Sequence, residues 1–194
     1  MRAFVIAMEC EARAVKAALR EGDRMYICGI GKVNAAMATQ RAIDEGAEEI
    51  INAGLCGGFG GEVEIGVTYE VTAAVEYDFD LAKLNGTRVG QLDERDTPFF
   101  ECAHEGRLEG RILATGDHFN DSENDYHLIA SELGAQLRDM EGAAIAHVCE
   151  RNGVRCRLYK CVTNIAGRGS MTGQYENNRE KVLECLKNAL ISLM

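Results

Sequence analysis

Tryptophan is absent from this 194-residue chain, proline occurs once, and aromatic residues make up only 6% of it. These scarcities, together with 46% hydrophobic residues, exclude a collagen-like repeat and a disordered chain. Positive charge is also in short supply, because the net charge is −10 and lysines and arginines form no cluster along the sequence. We therefore expect neither nucleic acid nor an anionic membrane as a partner.

Long apolar runs and paired cysteine motifs are missing as well. The apolar start of the chain is interrupted at Glu9 and Glu11, too early for a signal peptide or a membrane-spanning helix, so we expect a cytoplasmic protein. Eight cysteines are scattered from Cys10 to Cys185 without a C-x-x-C pair or a histidine at zinc-ligand spacing. Reduced, mostly buried thiols and no metal are the expectation.

What the sequence does contain is a regular alternation of strand-length apolar runs with helix-length amphipathic segments. The length suits one domain over residues 1–194. Predicted strands are Ala3–Ala7, Met25–Cys28, Glu48–Ala53, Val67–Val75, Arg111–Thr115, Gln136–Asp139 and Arg157–Thr163. Predicted helices are Glu9–Arg20, Lys32–Asp44, Glu123–Leu133 capped by Ser122, Met140–Asn152 and Asn177–Leu190. The alternation predicts a three-layer α/β/α fold with a mostly parallel, mixed central sheet.

Two glycine-rich segments follow predicted strands, where open α/β sheets bind ligands. Gly29-x-Gly31 resembles the start of a dinucleotide fingerprint, but Asn34 occupies the third glycine position, so a nicotinamide-dependent enzyme is kept only as an alternative. Five of the eight residues from Gly54 to Gly61 are glycine, which predicts a loop. It lacks the Lys-Ser/Thr of a P-loop, although bare backbone such as that of Gly57 can approach a ligand closely.

Four polar or aromatic residues at strand ends are candidates for a site. Glu11 either complements a helix dipole or serves chemistry. Glu141 opens a run of small and apolar residues, where a buried carboxylate needs a ligand or a partner. Asn164 either forms a turn or offers a donor and an acceptor to a heterocycle, and Phe119 either fills the core or stacks on a base.

Five segments together resemble one family, namely the nucleosidases of the purine nucleoside phosphorylase superfamily, and among them the 5′-methylthioadenosine/S-adenosylhomocysteine nucleosidases. The segments are 7–11, 29–33, 52–58, 115–119 and 139–149, and the last, with its Met-Glu-x-x-Ala-Ile-Ala-His-Val-Cys run between Met140 and Cys149, is the most specific. The resemblance extends from Met1 to about Ser170, whereas 77–110 is shorter than in the family and unlike it. It implies a nucleoside phosphorylase-like fold, a purine nucleoside substrate, no cofactor and a homodimer.

The resemblance also implies roles for individual residues. Glu11 would activate the attacking water, Glu141 would bind the ribose hydroxyls, and Met140 would pack on the sugar. Phe119 would stack on the purine and the backbone of Asn120 would run along its edge. The further positions counted as substrate-binding or catalytic are Gly57, Lys160, which stands where the family has arginine, and Asn164, which stands where adenine-specific nucleosidases have a proton-donating aspartate.

Cleavage of a ribosyl C–N bond develops positive charge on the sugar and negative charge on the departing purine, and the site must stabilise both. Hydrolysis is expected over phosphorolysis, because Asn52 and Leu55 occupy places that hold phosphate in the phosphorylases and Glu11 would repel an anion. Leu55 also replaces a serine of the family. A phosphorylase with an unusual phosphate site and a catalytically weak purine-binding or sensing module therefore remain alternatives. Since Asn164 cannot donate a proton as a carboxylic acid does, 6-oxopurine nucleosides such as inosine or futalosine are the expected preference.

Overall fold

A computed structural model describes residues 1–119 and 123–194 of the chain, so the predicted cap Ser122 and the candidate Asn120 lie outside the described residues. The strands are β1 (Arg2–Ile6), β2 (Arg24–Ile27), β3 (Glu49–Gly58), β4 (Thr68–Glu76), β5 (Phe100–Glu101), β6 (Gly110–Thr115), β7 (Leu137–Asp139) and β8 (Arg155–Ile165). The helices are α1 (Glu9–Val15), α2 (Lys32–Asp44), α3 (Ala82–Asn85), α4 (Glu123–Tyr126), α5 (Gly142–Asn152) and α6 (Met171–Leu193). A 3-10 turn (Lys16–Ala18) follows α1 and a π-helical segment (His127–Glu132) continues α4.

The strands form one mixed sheet in the order β2-β1-β3-β7-β6-β4-β5, and β8 pairs with both β3 and β4. The pairs β1 with β2, β1 with β3, β3 with β8, β4 with β6 and β6 with β7 are parallel. Strands β3, β8, β4, β6 and β7 pair in a closed circuit, so this part of the sheet curls on itself. The curl brings the ends of β3, β6, β7 and β8 to one rim.

Apolar residues alternate between the two faces of the sheet, as the period of a strand requires. In β1, Ala3 and Val5 face a core cluster shared with α2 and α5, whereas Phe4 and Ile6 face one shared with α1 and α6. Each fully buried leucine contributes roughly 1.5–3 kcal/mol, and Leu186 of α6 is one of these buried residues. The predicted three-layer α/β/α fold is thereby confirmed.

The prediction that Gly54–Gly61 is a loop is wrong over its first five residues, because β3 continues to Gly58. These glycines are needed for close packing. An ideal Cβ on Gly54 would lie 2.5 Å from Oε1 of Glu11, and one on Gly58 would lie 2.6 Å from a methyl carbon of Val63. Gly57 and Gly58 also pair with both β7 and β8, so the backbone stays extended although the composition suggests a loop.

Element ends differ from the prediction at several other places. Helix α6 begins at Met171, six residues before the predicted Asn177, and is capped by the Ser170 hydroxyl, which accepts a hydrogen bond from the Gly173 amide at 3.2 Å. Strand β8 extends two residues beyond the prediction at each end. Segment 77–110, which the sequence predicts to be irregular, contains the short elements α3 and β5.

All eight cysteines are free thiols, five of them buried. Every helix within residues 1–119 and 123–194 is too short or too polar to cross a bilayer.

Candidate active site

A cavity of about 430 Å³ opens at the rim where β3, β7 and β8 end, beside the starts of α1, α5 and α6. Its volume lies within the range of small-molecule sites. Six of the predicted site residues line it, namely Glu11, Gly57, Phe119, Met140, Glu141 and Asn164. They come from segments more than 150 residues apart in sequence, which the sheet topology brings together.

Glu11 lies in the first turn of α1 and is only 3% exposed. Its Oε1 accepts a hydrogen bond from the Leu55 backbone amide at 2.7 Å, and its Oε2 accepts one from the Met8 amide at 3.1 Å. Burial raises the pKa of Glu11, and the two amides and the nearby Lys160 ammonium oppose that shift. The contact at position 55 uses the backbone, so it does not depend on the serine that Leu55 replaces.

Glu141 immediately precedes α5 and is also buried. Its Oε1 accepts a hydrogen bond from the Gly31 amide at 2.8 Å. Burial raises the pKa of Glu141 to about 7, the Asp139 carboxylate adds to the increase, and Lys160 counteracts it. The Gly29-x-Gly31 turn, the possible dinucleotide motif, thus donates one of its amides to a carboxylate of the cavity.

Lys160 is buried behind the cavity wall and is not among the residues that line it. Its Nζ lies 2.7 Å from Oδ2 of Asp139, which also accepts a hydrogen bond from the Gly142 amide at 2.8 Å. The other Asp139 oxygen accepts one from the Thr115 hydroxyl at 2.6 Å. Burial lowers the pKa of Lys160, but the carboxylates of Asp139 and Glu141 outweigh it and the net shift is upward. Lys160 therefore contacts a carboxylate of the site, and its influence on a ligand is through that carboxylate.

Asn164 presents an amide group with one satisfied and one unsatisfied end. Its Oδ1 accepts a hydrogen bond from the Thr163 hydroxyl at 2.6 Å. Its Nδ2 has no hydrogen-bond partner within residues 1–119 and 123–194, although the residue is only 1% exposed. An ideal Cβ on Gly57 would lie 3.2 Å from this nitrogen, so a glycine there leaves it space. A buried donor without a partner is costly, which points to a ligand atom as its acceptor.

Phe119 is half exposed and its ring meets that of Tyr175 edge to face, with 5.9 Å between centroids. The Tyr175 hydroxyl lies 3.9 Å from the sulfur of Met8. These three side chains line the same cavity as the carboxylates and form an apolar part of its wall. The arrangement provides a flat aromatic surface beside a polar pocket.

The further cavity residues that the sequence did not single out as site residues include Arg138, Tyr175 and Arg179. Tyr175 and Arg179 lie one turn apart on α6, but the predicted start of that helix at Asn177 separated them. Arg138 stands between Leu137 and Asp139 in the short strand β7 and is 5% exposed, so a charged residue at a buried strand position was the available signal. The described residues contain no group of three or more His, Cys, Asp or Glu side chains that could hold a metal ion.

Comparisons with known proteins give a consistent match. The family model described as the phosphorylase superfamily matches residues 12–193. The 5'-methylthioadenosine/S-adenosylhomocysteine nucleosidase of Treponema pallidum is 31% identical over 180 residues, covering 74% of this chain and 66% of that protein. The aminodeoxyfutalosine nucleosidase of Campylobacter jejuni is 31% identical over 151 residues, covering 71% of this chain and 66% of that protein. The matches thus span about two thirds of the length of these relatives.

Solved structures resemble the fold over its whole length. The futalosine hydrolase of Helicobacter pylori superimposes with a TM-score of 0.87 at 19% identity, covering 100% of this chain and 97% of that one. The 5'-methylthioadenosine/S-adenosyl homocysteine nucleosidase of the same organism, complexed with a substituted pyrrolidin-3-ol, gives a TM-score of 0.86 at 19% identity, covering 100% of this chain and 98% of that one. At this identity the likeness establishes the fold.

Proposed function

Because the chain belongs to the phosphorylase superfamily, we propose that it is a purine nucleosidase, which hydrolyses the N-glycosidic bond of a purine nucleoside. The observation that carries the proposal is the convergence of Glu11, Glu141 and Asn164 on one cavity of nucleoside size. The names of the relatives, nucleosidases of methylthioadenosine, S-adenosylhomocysteine and aminodeoxyfutalosine, support the same reaction class.

Glu11 is the group proposed to activate water. Each of its oxygens accepts one backbone hydrogen bond, which fixes the carboxylate and leaves further lone pairs for a water molecule. Its raised pKa makes it a stronger base than an exposed glutamate, as removal of a proton from water requires. The negative charge also stabilises the positive charge that develops on the sugar during cleavage.

Glu141 is proposed to bind the ribose hydroxyls. The Gly31 amide fixes one of its oxygens, and an ionised carboxylate can accept two hydroxyl hydrogen bonds in addition. Met140 lines the cavity beside it and supplies an apolar wall for the sugar. Phe119 and Asn164 then remain for the base, the ring as a stacking surface and the amide at an edge.

The base edge that suits Asn164 best is that of a 6-oxopurine. The free Nδ2 is a donor, and O6 and N7 of a 6-oxopurine are both acceptors. Adenine has an amino group in place of O6, and this amino group is a donor that cannot accept a hydrogen bond from Nδ2. Asn164 also has no acidic proton to give to a departing adenine, so we propose that inosine- or futalosine-type substrates are favoured over adenosine-type ones.

Hydrolysis is proposed over phosphorolysis on electrostatic grounds. Four carboxylates and two guanidinium groups line the cavity, those of Glu11, Asp139, Glu141, Glu176, Arg138 and Arg179. The buried Lys160 lies behind the wall and is ion-paired with Asp139. A phosphate dianion entering beside Glu11 meets like charge in a region of low dielectric constant. The amide of Asn52 is engaged with the Val5 carbonyl at 2.8 Å and is buried away from the cavity.

A homodimer in the cytoplasm belongs to the same proposal. Ile30, which precedes α2, and Val33 and Met37 on that helix form an apolar stripe and are 51%, 70% and 68% exposed. Ile30 lines the cavity, so a second copy seated on this stripe would approach the site. Sedimentation of a Val33→Glu/Met37→Glu double variant tests this: we expect a monomer, whereas Leu84→Glu, at an exposed apolar residue elsewhere, should sediment as the parent does.

The deciding experiment measures free purine released from adenosine, inosine, methylthioadenosine, S-adenosylhomocysteine and futalosine, each with and without phosphate. Glu11→Gln is the inactive reference, and Glu9→Gln, the same change at an exposed position of α1, is its matched control. Phosphate-independent release that disappears only in Glu11→Gln supports a nucleosidase. A phosphate requirement with ribose 1-phosphate as product would identify a phosphorylase, and binding without release would identify a purine-binding module.

A further inference from the structure

A group of charged residues outside the cavity connects the turn at Gly31, next to Glu141, with the loop that carries Phe119. Lys32 begins α2 directly after Gly31, and its backbone amide donates to Oδ1 of Asp117 at 2.9 Å. Asp117 in turn donates its own amide to Oδ2 of Asp78 at 3.0 Å. The Lys32 ammonium closes the group, 2.6 Å from Oδ1 of Asp78 and 3.2 Å from Oε2 of Glu76.

We infer that Lys32 and Asp117 are positioning residues, which hold the partner amide of Glu141 and the loop of Phe119 in a fixed relation. Neither side chain lines the cavity. Their effect on a substrate would pass through Gly31 on one side and Phe119 on the other. The inference rests on the proposed function for its reading of Glu141 as the ribose-binding group.

The first connection runs through two consecutive amides. Gly31 donates to Glu141 at 2.8 Å, and the next amide, that of Lys32, donates to Asp117. Gly31 has a φ of 104°, a conformation that glycine adopts without strain. An ideal Cβ on it would lie 3.2 Å from the Asp117 carboxylate. Displacing Asp117 therefore removes the acceptor of the Lys32 amide and frees the turn in which the Gly31 amide orients Glu141.

The second connection runs through the backbone of the loop after β6. Asp117 lies two residues before Phe119, and its amide is held by Asp78. Asp78 is held by Lys32, and both side chains are mostly buried, 15% and 20% exposed. Such a pair is less screened by solvent than a surface pair. Loss of the ammonium would leave the Asp78 and Glu76 carboxylates facing each other without a cation.

The network is also fixed from the side of α5. His147 of that helix places its Nδ1 3.2 Å from Oε1 of Glu76, and its ring stacks on Phe100 with 4.6 Å between centroids. Glu76 is therefore shared between Lys32 and His147. Helix α5 is the one that Glu141 precedes, so the carboxylate and its amide partner are tied to the same framework.

The test compares kcat/KM for a ribonucleoside with kcat/KM for its 2′-deoxy and 3′-deoxy counterparts. If Glu141 reads the hydroxyls, a displaced Gly31 amide should weaken that preference. We expect Lys32→Met and Asp117→Ala to lower the ribo/deoxy ratio roughly tenfold, the loss of one charge-assisted hydrogen bond, and Lys32→Arg to restore most of it. Arg24→Met, which removes a cation from the exposed ion pair with Glu45, is the matched control and should leave the ratio unchanged.

The ratio is insensitive to how much of a variant is folded, because the same molecules turn over both substrates. A ratio within twofold of the parent in both Lys32→Met and Asp117→Ala overturns the inference. Hydrogen exchange of the Gly31, Lys32 and Asp117 amides gives a second readout that needs no activity. Protection of all three amides should fall in Lys32→Met and not in Arg24→Met. Unchanged protection overturns the inference, whether or not a nucleoside is cleaved. Absence of nucleoside cleavage, by itself, contradicts only the proposed function.

Discussion

The Lys160 ammonium and the Asp139 carboxylate form an ion pair inside the protein, with 2.7 Å between Nζ and Oδ2 and at most 2% of either side chain exposed. Asp139 ends β7, and Glu141 follows two residues later. The pair therefore anchors the strand end from which a cavity carboxylate projects. It also provides a buried positive charge that interacts with three carboxylates, those of Glu11, Asp139 and Glu141.

Lys160→Met should destabilise the protein strongly, because it leaves the Asp139 carboxylate buried without its cation. We expect the free energy of unfolding in urea to fall by about 3 to 5 kcal/mol. Lys187→Met, which breaks an exposed pair with Glu184, should change it by less than about 1 kcal/mol. A Lys160→Met loss no greater than that of Lys187→Met would show that the pair is solvated in solution.

Glu11→Gln should reduce kcat for base release by roughly 10²- to 10⁴-fold, because the amide cannot take a proton from water. Its oxygen still accepts a hydrogen bond from the Leu55 or Met8 amide, so the fold and substrate binding should persist. Steady-state kinetics with Glu9→Gln alongside check the result. Retention of more than a tenth of the parental kcat would remove Glu11 from its proposed role.

Asn164→Asp should shift base preference towards adenine. A carboxylic acid at this position can donate a proton to the departing base, whereas the Nδ2 donor that suits O6 is lost. We expect the ratio of kcat/KM for methylthioadenosine to that for inosine to rise at least tenfold. Asn177→Asp, on the exposed side of α6, serves as the control. An unchanged ratio would mean that the Asn164 amide does not select the base.

The raised pKa of Glu141 should appear in the pH dependence of stability. Its pKa of about 7 in the folded protein lies above the ordinary value of 4.5, so the folded state binds more protons between these values. The free energy of unfolding must then fall as pH rises from about 4.5 through about 7. The free energy of unfolding of the parent should fall by on the order of 3 kcal/mol more than that of Glu141→Gln across this pH interval. The amide oxygen of the variant still accepts a hydrogen bond from Gly31.

Urea unfolding at pH 4.5, 6 and 8 checks the sign and the size of this effect. A Glu176→Gln variant, altered at an exposed glutamate of the same cavity, should follow the parent curve. Parallel curves for Glu141→Gln and the parent would contradict the raised pKa.

The sequence predicted the layered fold well because that fold follows from local patterning. Alternating apolar residues in β1 and small apolar residues in α5 face the cores that their periodicity predicts. The extended glycines of β3 could not be predicted, because close contacts with Glu11 and Val63 from other parts of the chain decide their conformation. The pairing of β8 with both β3 and β4 is likewise non-local.

The candidate site shows the same division. Glu11, Glu141 and Asn164 stand in recognisable contexts in the sequence and lie around one cavity. Tyr175 and Arg179 were missed because the start of α6 depends on the Ser170 cap, not on apolar periodicity. The position of Lys160 behind Asp139 follows from a cross-strand arrangement that no local pattern encodes.

Gly54 has a consequence for how this protein can change over generations. A single nucleotide substitution converts a glycine codon to an alanine codon, and the added methyl carbon would lie 2.5 Å from a Glu11 oxygen. Either the strand or the carboxylate would have to move, because the three nearest atoms to that carbon all belong to Glu11. For the proposed nucleosidase, position 54 thus offers a one-step mutational route from cleaving a nucleoside to only retaining it.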